Sequence, residues 1–273
     1  MQHAPGDQAA AALPRFWELE APASWQRIDF ISDLHLADDR PGGVAAFASH
    51  LRHTAADAVF ILGDLFDMWV GDDERTRPFE AHCVEIIASA AARISVAFMA
   101  GNRDFLLGQQ MLGACGALGL SDPTVLIAFG RRTLLSHGDA LCIGDVAYQR
   151  FRSQVRNEAW QREFLAKPLD ERLGQAVAVR QESERRKRSI ASDDWVDIDG
   201  GLAVRWMHEA ATPVLVHGHT HSPGSEPMAP GFVRHVLSDW EFDEPGEPPR
   251  GQVLRLSATG FTRLAPALAP ENA

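Results

Sequence analysis

The chain has 273 residues, 45% of them hydrophobic, and a formal net charge of −11 at pH 7. That length accommodates one large α/β domain with an insertion, or two small domains. The acidic balance excludes general nucleic-acid binding, which needs a basic surface against phosphates. The cysteines, Cys83, Cys115 and Cys142, are far apart and form no Cys-x-x-Cys pattern, so a disulfide framework and a thiolate zinc site are both set aside.

Residues 1–24 are rich in Ala and Pro without a period and read as a flexible extension, and 266–273 as a flexible tail. No secretory signal pattern opens the chain. Arg93 interrupts the longest apolar run before the ~18 residues a membrane span needs, so a cytosolic protein is expected. From residue 25 to 265, strand-like and helical stretches alternate. Arg27 to Ser32 predicts a strand, Val44 to Ala55 a helix, Ala58 to Leu62 a strand, Phe79 to Ala92 a helix and Ile94 to Ala100 a strand. Phe105 to Leu118 predicts a helix, and Val125 to Phe129 with Arg131 to Ser136 a hairpin turning at Gly130. Pro213 to His217 is a short buried strand, followed by Phe232 to Leu237, Gly251 to Leu256 and Phe261 to Leu264. Alternating β and α units with a β-rich tail predict an α/β fold of two packed sheets with helices outside.

Between Val146 and about Ala210 the signal is helical throughout. Trp160, Phe164, Leu165, Leu169, Leu173, Ala176 and Val177 mark an apolar face, and between Arg150 and Ile190 eleven Lys and Arg stand against six Asp and Glu. This stretch is therefore +5 and the rest of the chain −16. Lying between two ligand-bearing blocks, the insertion is expected to stand over them as a cap; the alternative is an ordinary helical layer on the sheet.

Five short blocks carry metal-binding chemistry: Asp33 to His35, Gly63-Asp64, Gly101 to Asp104, His137 to Asp139 and Gly218 to His221. Each follows an apolar, strand-like run, and ligands in open α/β sheets gather beyond the carboxyl ends of strands. Carboxylates mixed with imidazoles suit manganese, iron or zinc better than calcium. Asp33, His35, Asp64, Asn102, His137, His219 and His221 are too many donors for one ion. With one shared carboxylate they suffice for two, and ions roughly 3.5–4 Å apart are the usual arrangement for in-line attack on phosphorus.

The blocks resemble those of the calcineurin-like metallophosphoesterases: Asp33-x-His35, Gly63-Asp64-x-x-Asp67, Gly101-Asn102-Arg103-Asp104, His137-Gly138-Asp139 and Gly218-His219-x-His221, in that order. The resemblance implies an αββα sandwich. It places Asp33, His35, Asp64 and His221 on one metal, with Asp64 bridging to a second held by Asn102, His137 and His219. His217 lies outside the motif and reads as a strand-end residue. Arg103 stands where superfamily members that expel an alkoxide often carry His. Arginine cannot act as a general acid at neutral pH, but it can neutralise charge, which suits a phosphoanhydride whose leaving group needs no proton. The alternative is a structural Arg paired with Asp104.

Longer strings, Ile31 to Leu36, Ile61 to Asp67 with Trp69 and Gly71 to Asp73, Gly101 to Gly108, and His137 to Cys142 with Asp145, Tyr148 and Phe151, resemble the family of UDP-2,3-diacylglucosamine hydrolases. That resemblance implies attack of water on the α-phosphate of a lipid-linked UDP-sugar, giving UMP and 2,3-diacylglucosamine 1-phosphate (lipid X) in lipid A synthesis. It implies two divalent ions, usually Mn2+, and peripheral attachment to the anionic cytoplasmic face of the inner membrane. Catalytic roles fall on Asp64, Asn102, Arg103 and His219, and substrate contacts on Asn102, Arg103, Asp145, Ser183, Lys187 and His219. The run Arg185 to Arg188 is richer in Arg than that family's pattern, so a solvated basic face is the alternative for Lys187. No obligate protein partner and no nucleic acid are implied. Rival readings are another nucleotide diphosphate as substrate, and a non-catalytic scaffold of the same fold.

Overall fold

The computed structural model describes residues 13–189 and 196–268. Among these, two six-stranded sheets pack face to face. In one, β2 (Arg27–Ile31), β3 (Ala58–Leu62), β4 (Ser95–Met99) and β5 (Leu118–Leu120) run parallel, extended beyond β2 by the antiparallel β11 (Val253–Ser257) and β12 (Gly260–Leu264). In the other the order is β1 (Trp17–Glu20), β6 (Thr124–Ala128), β7 (Arg131–Ser136), β8 (Val214–His217), β10 (Phe232–Val236) and β9 (Gly224–Ala229).

Strand composition explains the layering. The run Ala58 to Leu62 is buried at every position, as parallel strands covered on both faces require. Alternate residues then sort by face. Ile28, Phe30, Phe60, Leu62, Ala97 and Met99 meet Leu126, Leu135 and Val216 between the sheets. Val59, Ile61, Val96 and Phe98 turn outward to meet helices α1 (Pro41–His53), α2 (Pro78–Ala91) and α3 (Gln109–Cys115). On the other outer face, Val125, Leu134 and Leu215 are covered by Leu202, Ala203, Trp206 and Met207 of α7 (Gly200–Glu209). The result is the expected αββα sandwich.

Several expectations are revised. Residues 1–12 and 269–273 lie outside the described residues, but the end of the expected extension is ordered: Trp17 to Glu20 pair in parallel with Thr124 to Ile127, Leu19 packs on the intersheet core, and Glu18 takes a 2.6 Å ion pair from Arg132. The helix expected from Phe105 is shorter. Asp72 accepts the backbone N–H groups of Gly108, Gln110 and Met111, which sets the start of α3, and Gly116 at φ 65° ends it before β5. Strand β9, carrying Gly224 and Pro227, is not expected from the sequence, and it lies at a sheet edge where such residues are tolerated.

The insertion holds three helices, α4 (Val146–Val155), α5 (Glu158–Leu165) and α6 (Leu169–Ser189), whereas the expected cap to about residue 210 also takes in α7, which is a layer of the sandwich. The cap's apolar face is largely its means of attachment. Phe164 is buried, stacks on Trp160 at 4.8 Å, and joins Leu169, Leu173 and Ala176 against the core that includes Trp69 and Val70. The buried Arg172 completes the joint by donating to Val70 O at 2.5 Å and pairing with Asp73.

Candidate metal centre

All five ligand-bearing blocks lie just past strand carboxyl ends: Asp33 and His35 after β2, Asp64 after β3, Asn102 and Arg103 after β4, His137 after β7, and His219 and His221 after β8. Five of the seven non-glycine residues with positive φ among those described are here: Asp33, His35, Asp64, His219 and His221. Such conformations persist only where surrounding contacts enforce them. Backbone bonds from Asp33 N to Gly63 O (3.1 Å), His35 N to Asp64 O (3.0 Å) and Leu36 N to Leu65 O (2.9 Å) do so. The glycines are required by close approach. A Cβ at Gly101 would collide with Asp64, and one at Gly218 with Asp33 and Ser32.

The side chains converge from both directions on Asp64. One carboxylate oxygen, Oδ2, lies 3.3 Å from His35 Nε2, and the other, Oδ1, 3.7 Å from His137 Nε2. Beyond His137, Asn102 Oδ1 is 2.9 Å from His137 Nε2 and 2.8 Å from His219 Nδ1. On the other side, Asp33 Oδ1 stands 3.4 Å from His221 Nε2. Donor atoms of Asp33, His35 and His221, and those of Asp33, Asp64 and His137, lie within 4.8 Å of one another.

The donor set fits a cation. Asp33 Oδ1 is buried, accepts no hydrogen bond and stands 3.4 Å from His221 Nε2, so a bound cation would satisfy an oxygen that is otherwise without a partner. Burial opposes charge on Asp33 and Asp64, yet the nearby imidazoles of His221 and His137 for the first, and His137, His35 and Arg103 for the second, hold both carboxyls well below the usual carboxylate range. Burial likewise opposes a charge on His137, but Asp64, Asp33 and Asp139 hold it up at about 9. Burial, reinforced by His137, pushes His219 down to about 4, and burial with Arg103 lowers His35. Two ionised buried carboxylates set among imidazoles are the environment divalent transition ions favour.

Arg103 does not pair with Asp104. Its Nε lies 3.3 Å from Asp64 Oδ2 and its Nη1 donates to Asp67 at 2.5 Å. Asp104 is fully buried and instead accepts the backbone N–H groups of Leu65 (2.7 Å), Gly101 (2.8 Å), Asp64 (3.3 Å) and Phe66 (3.4 Å), tying two ligand loops together. His217 is a buried strand-end residue donating from Nδ1 to Gly218 O.

Cap residues fasten to the same loops. Asp139 is buried and accepts from Tyr148 Oη (2.5 Å) and Arg152 Nε (2.7 Å), Arg156 donates to Gly101 O (2.8 Å), and Arg180 pairs with Asp67 at 2.7 Å. The Tyr148 ring lies 5.9 Å from that of His219. Among the expected substrate contacts, Asp145 caps α4 by accepting from Tyr148 N at 3.0 Å, Ser183 is exposed on α6, and the Lys187 side chain lies outside the described residues. The contacts of Asp67, Asp139, Tyr148, Arg152 and Arg180 do not follow from sequence. For Asp67 and Asp139 their place within the ligand blocks is a usable signal, while the arginines are hidden in a generally basic helix.

Two sheets presenting carboxylate, amide and imidazole donors at their strand ends define a metal-dependent phosphoesterase. The model of the calcineurin-like phosphoesterases matches residues 26–229, and the chain belongs to that family, whose members use divalent metals. It is 44% identical over 238 residues to a UDP-2,3-diacylglucosamine hydrolase of Ralstonia nicotianae, covering 83% of this chain and 88% of that one. It is 43% identical over 239 residues to a protein of the same name from Chromobacterium violaceum, covering 87% and 98%. A third, from Xanthomonas oryzae pv. oryzae, is 41% identical over 244 residues, covering 85% and 96%.

Proposed function

We propose that this chain hydrolyses the pyrophosphate bond of UDP-2,3-diacylglucosamine by attack of metal-activated water on the α-phosphate, giving UMP and 2,3-diacylglucosamine 1-phosphate. The similarity to relatives of that name supports the substrate. The observation that carries the chemistry is Arg103, whose permanently charged guanidinium lies against Asp64; it can neutralise a phosphate leaving group and cannot protonate an alkoxide. Two Mn2+ ions fit the donors: Asp33, His35, Asp64 and His221 for one, and Asp64, Asn102, His137 and His219 for the other. Asp64 would be the donor common to both sets, because its two oxygens face different imidazoles. Bound there, the ions supply the Lewis acidity that makes hydroxide available at neutral pH and draws charge from phosphoryl oxygens.

The chain's own groups do the rest. Asp104 fixes the Asp64 and Asn102 loops relative to each other, so the reacting phosphate meets a preorganised site. Asp67 holds Arg103 and the cap's Arg180 together, aiming both guanidinium groups near the centre. Asp145, Ser183 and Lys187 are proposed to complete the sugar side of the substrate. Because Phe164 is taken up in the joint, acyl chains are received by the half-buried Trp160 and the exposed Leu165, Val177 and Val179. Among the described residues no helix is long and apolar enough to cross a membrane. Peripheral attachment to the anionic cytoplasmic face of the inner membrane is proposed through the basic cap.

The test is direct. Purified protein with Mn2+ is given UDP-2,3-diacylglucosamine beside UDP-glucose, a cyclic nucleotide and a phosphopeptide. Release of UMP from the diacyl substrate alone is expected. Equal hydrolysis of UDP-glucose would replace this reading with a general nucleotide diphosphatase.

A further inference from the structure

His221 presents its two ring nitrogens to two different carboxylates. Nε2 lies 3.4 Å from Asp33 Oδ1, on the metal side, and Nδ1 lies 3.8 Å from Asp239 Oδ2. Asp239 belongs to none of the ligand blocks, and it is only 8% exposed. It follows β10, in a segment bolted to the ligand loops: Leu237 N donates to His217 O at 2.7 Å and Trp240 N to Asp33 O at 3.0 Å. The carboxylate is itself fixed. Arg250 donates to Oδ2 from Nε (3.1 Å) and Nη2 (2.8 Å), and the backbones of Glu241 and Arg250 exchange bonds of 2.9 and 2.8 Å.

This is the arrangement a metal-binding imidazole needs on its far side. One ring nitrogen can face a cation only if the other carries the proton, and a carboxylate opposite Nδ1 selects that tautomer and fixes the plane of the ring. His221 has particular need of such help. Its backbone is held at φ 51°, and its side chain is 23% exposed. His137, by contrast, is fully buried with Nδ1 bonded to Leu62 O at 2.9 Å. At 3.8 Å the Asp239 contact is longer than a hydrogen bond, so the carboxylate acts on the neutral ring through its charge and its placement opposite Nδ1.

We propose that Asp239 is a positioning residue, the outer carboxylate that orients His221 toward the cation it shares with Asp33. The inference rests on the metal-centre reading above, and the experiment separates the two. Full-length protein is stripped of metal and titrated with Mn2+, free ion being followed by its paramagnetic resonance signal, for the wild type, His221→Ala, Asp239→Asn and Asp239→Ala. The isosteric Asn variant keeps an acceptor for Arg250, so the test survives if the Ala variant fails to fold.

Both Asp239 variants are expected to weaken one of two ions about 10- to 100-fold and leave the other unchanged. His221→Ala should lose that same ion. If His221→Ala loses an ion while Asp239→Asn binds both as the wild type does, the role of Asp239 is refuted and the metal centre stands. If His221→Ala keeps both ions unchanged, the metal-centre assignment fails and takes this inference with it. A lowered melting temperature of the metal-free Asp239 variants with unaltered Mn2+ affinity would make Asp239 merely a partner for Arg250, which also overturns the proposal.

Discussion

Asp104→Ala should damage the fold and the metal centre together, and by an amount that can be worked out. The Asp104 carboxylate accepts from four backbone N–H groups, two of them at good distances, Leu65 at 2.7 Å and Gly101 at 2.8 Å. The other two, to Asp64 and Phe66, are long at 3.3 and 3.4 Å and contribute less. Truncation leaves buried donors without partners, each costing about 1–3 kcal/mol. Counting only the two good bonds gives about 2–6 kcal/mol, partly offset because the buried carboxylate is itself disfavoured, its pKa being pushed up to about 7 by burial and by Asp64. In a chain of this size each kcal/mol is worth roughly 2–4 °C, so the metal-free variant should melt on the order of 5–15 °C lower. Asp64 N and Gly101 N are both released, so the two ligand loops should part and metal retained after dialysis should fall. Thermal denaturation of metal-free protein and metal analysis of dialysed protein check both consequences. A melting point within about 1 °C of wild type, with full metal content, would show that Asp104 does not hold these loops.

Arg103→Ala should lower kcat by about 10²–10³ while metal analysis shows unchanged occupancy, since Arg103 touches Asp64 but offers no ligand atom. Asp64→Ala should lose more Mn2+ than His35→Ala under the same dialysis, because Asp64 faces both His35 and His137. Trp160→Ala should raise KM for the diacyl substrate and leave Mn2+ binding unchanged; an unaltered KM would remove Trp160 from the acyl site. Glu74 predicts a pH dependence of stability: burial, with Glu80 and Asp73 nearby, raises its carboxyl from 4.5 to about 7 against the Val70 N–H and Arg77. The folded state therefore binds the extra proton between those values, so stability falls as pH rises from about 4.5 to 7 and then levels. Glu74→Gln should remove that slope, gaining about 3 kcal/mol on the wild type at about pH 8 relative to about pH 4.5, as melting curves at the two values would show.

The candidate metal ligands were visible in sequence because each sits at a fixed offset from an apolar strand, and the parallel strands of the two sheets bring those ends together whatever the loops do. Gly101 and Gly218 were legible too, as motif letters, although only the structure shows that a side chain there would strike Asp64 or Asp33. What escaped was decided by contacts between segments distant in the chain. The start of α3 is set by Asp72, 36 residues before Gly108, and no local pattern announces it. Strand β1, four residues with Glu at two positions, has too little periodicity to stand out and exists through its ladder with β6. The same holds for Asp239, which lies well beyond His221 in the chain and matters only because the backbone returns beside Asp33.

The cap's charge shows how composition can mislead about where a group acts. Eleven basic residues between Arg150 and Ile190 read as a surface for phosphates and anionic lipid. Among the described residues, four of them are turned inward. Arg152 pairs with Asp139, Arg156 donates to Gly101 O, Arg172 to Val70 O, and Arg180 pairs with Asp67. Three of these four partners lie in the candidate ligand blocks, and Val70 lies in the loop just beyond one, so the arginines fasten the cap to the loops that carry the candidate metal ligands. A guanidinium suits this task because its several donors can meet a carbonyl and a carboxylate at once, as Arg172 does with Val70 O and Asp73. The consequence for function is that cap and metal loops form one connected unit. Any positive surface offered to a membrane must come from the remaining basic residues, of which Lys167 is already engaged with Glu171 at 3.3 Å.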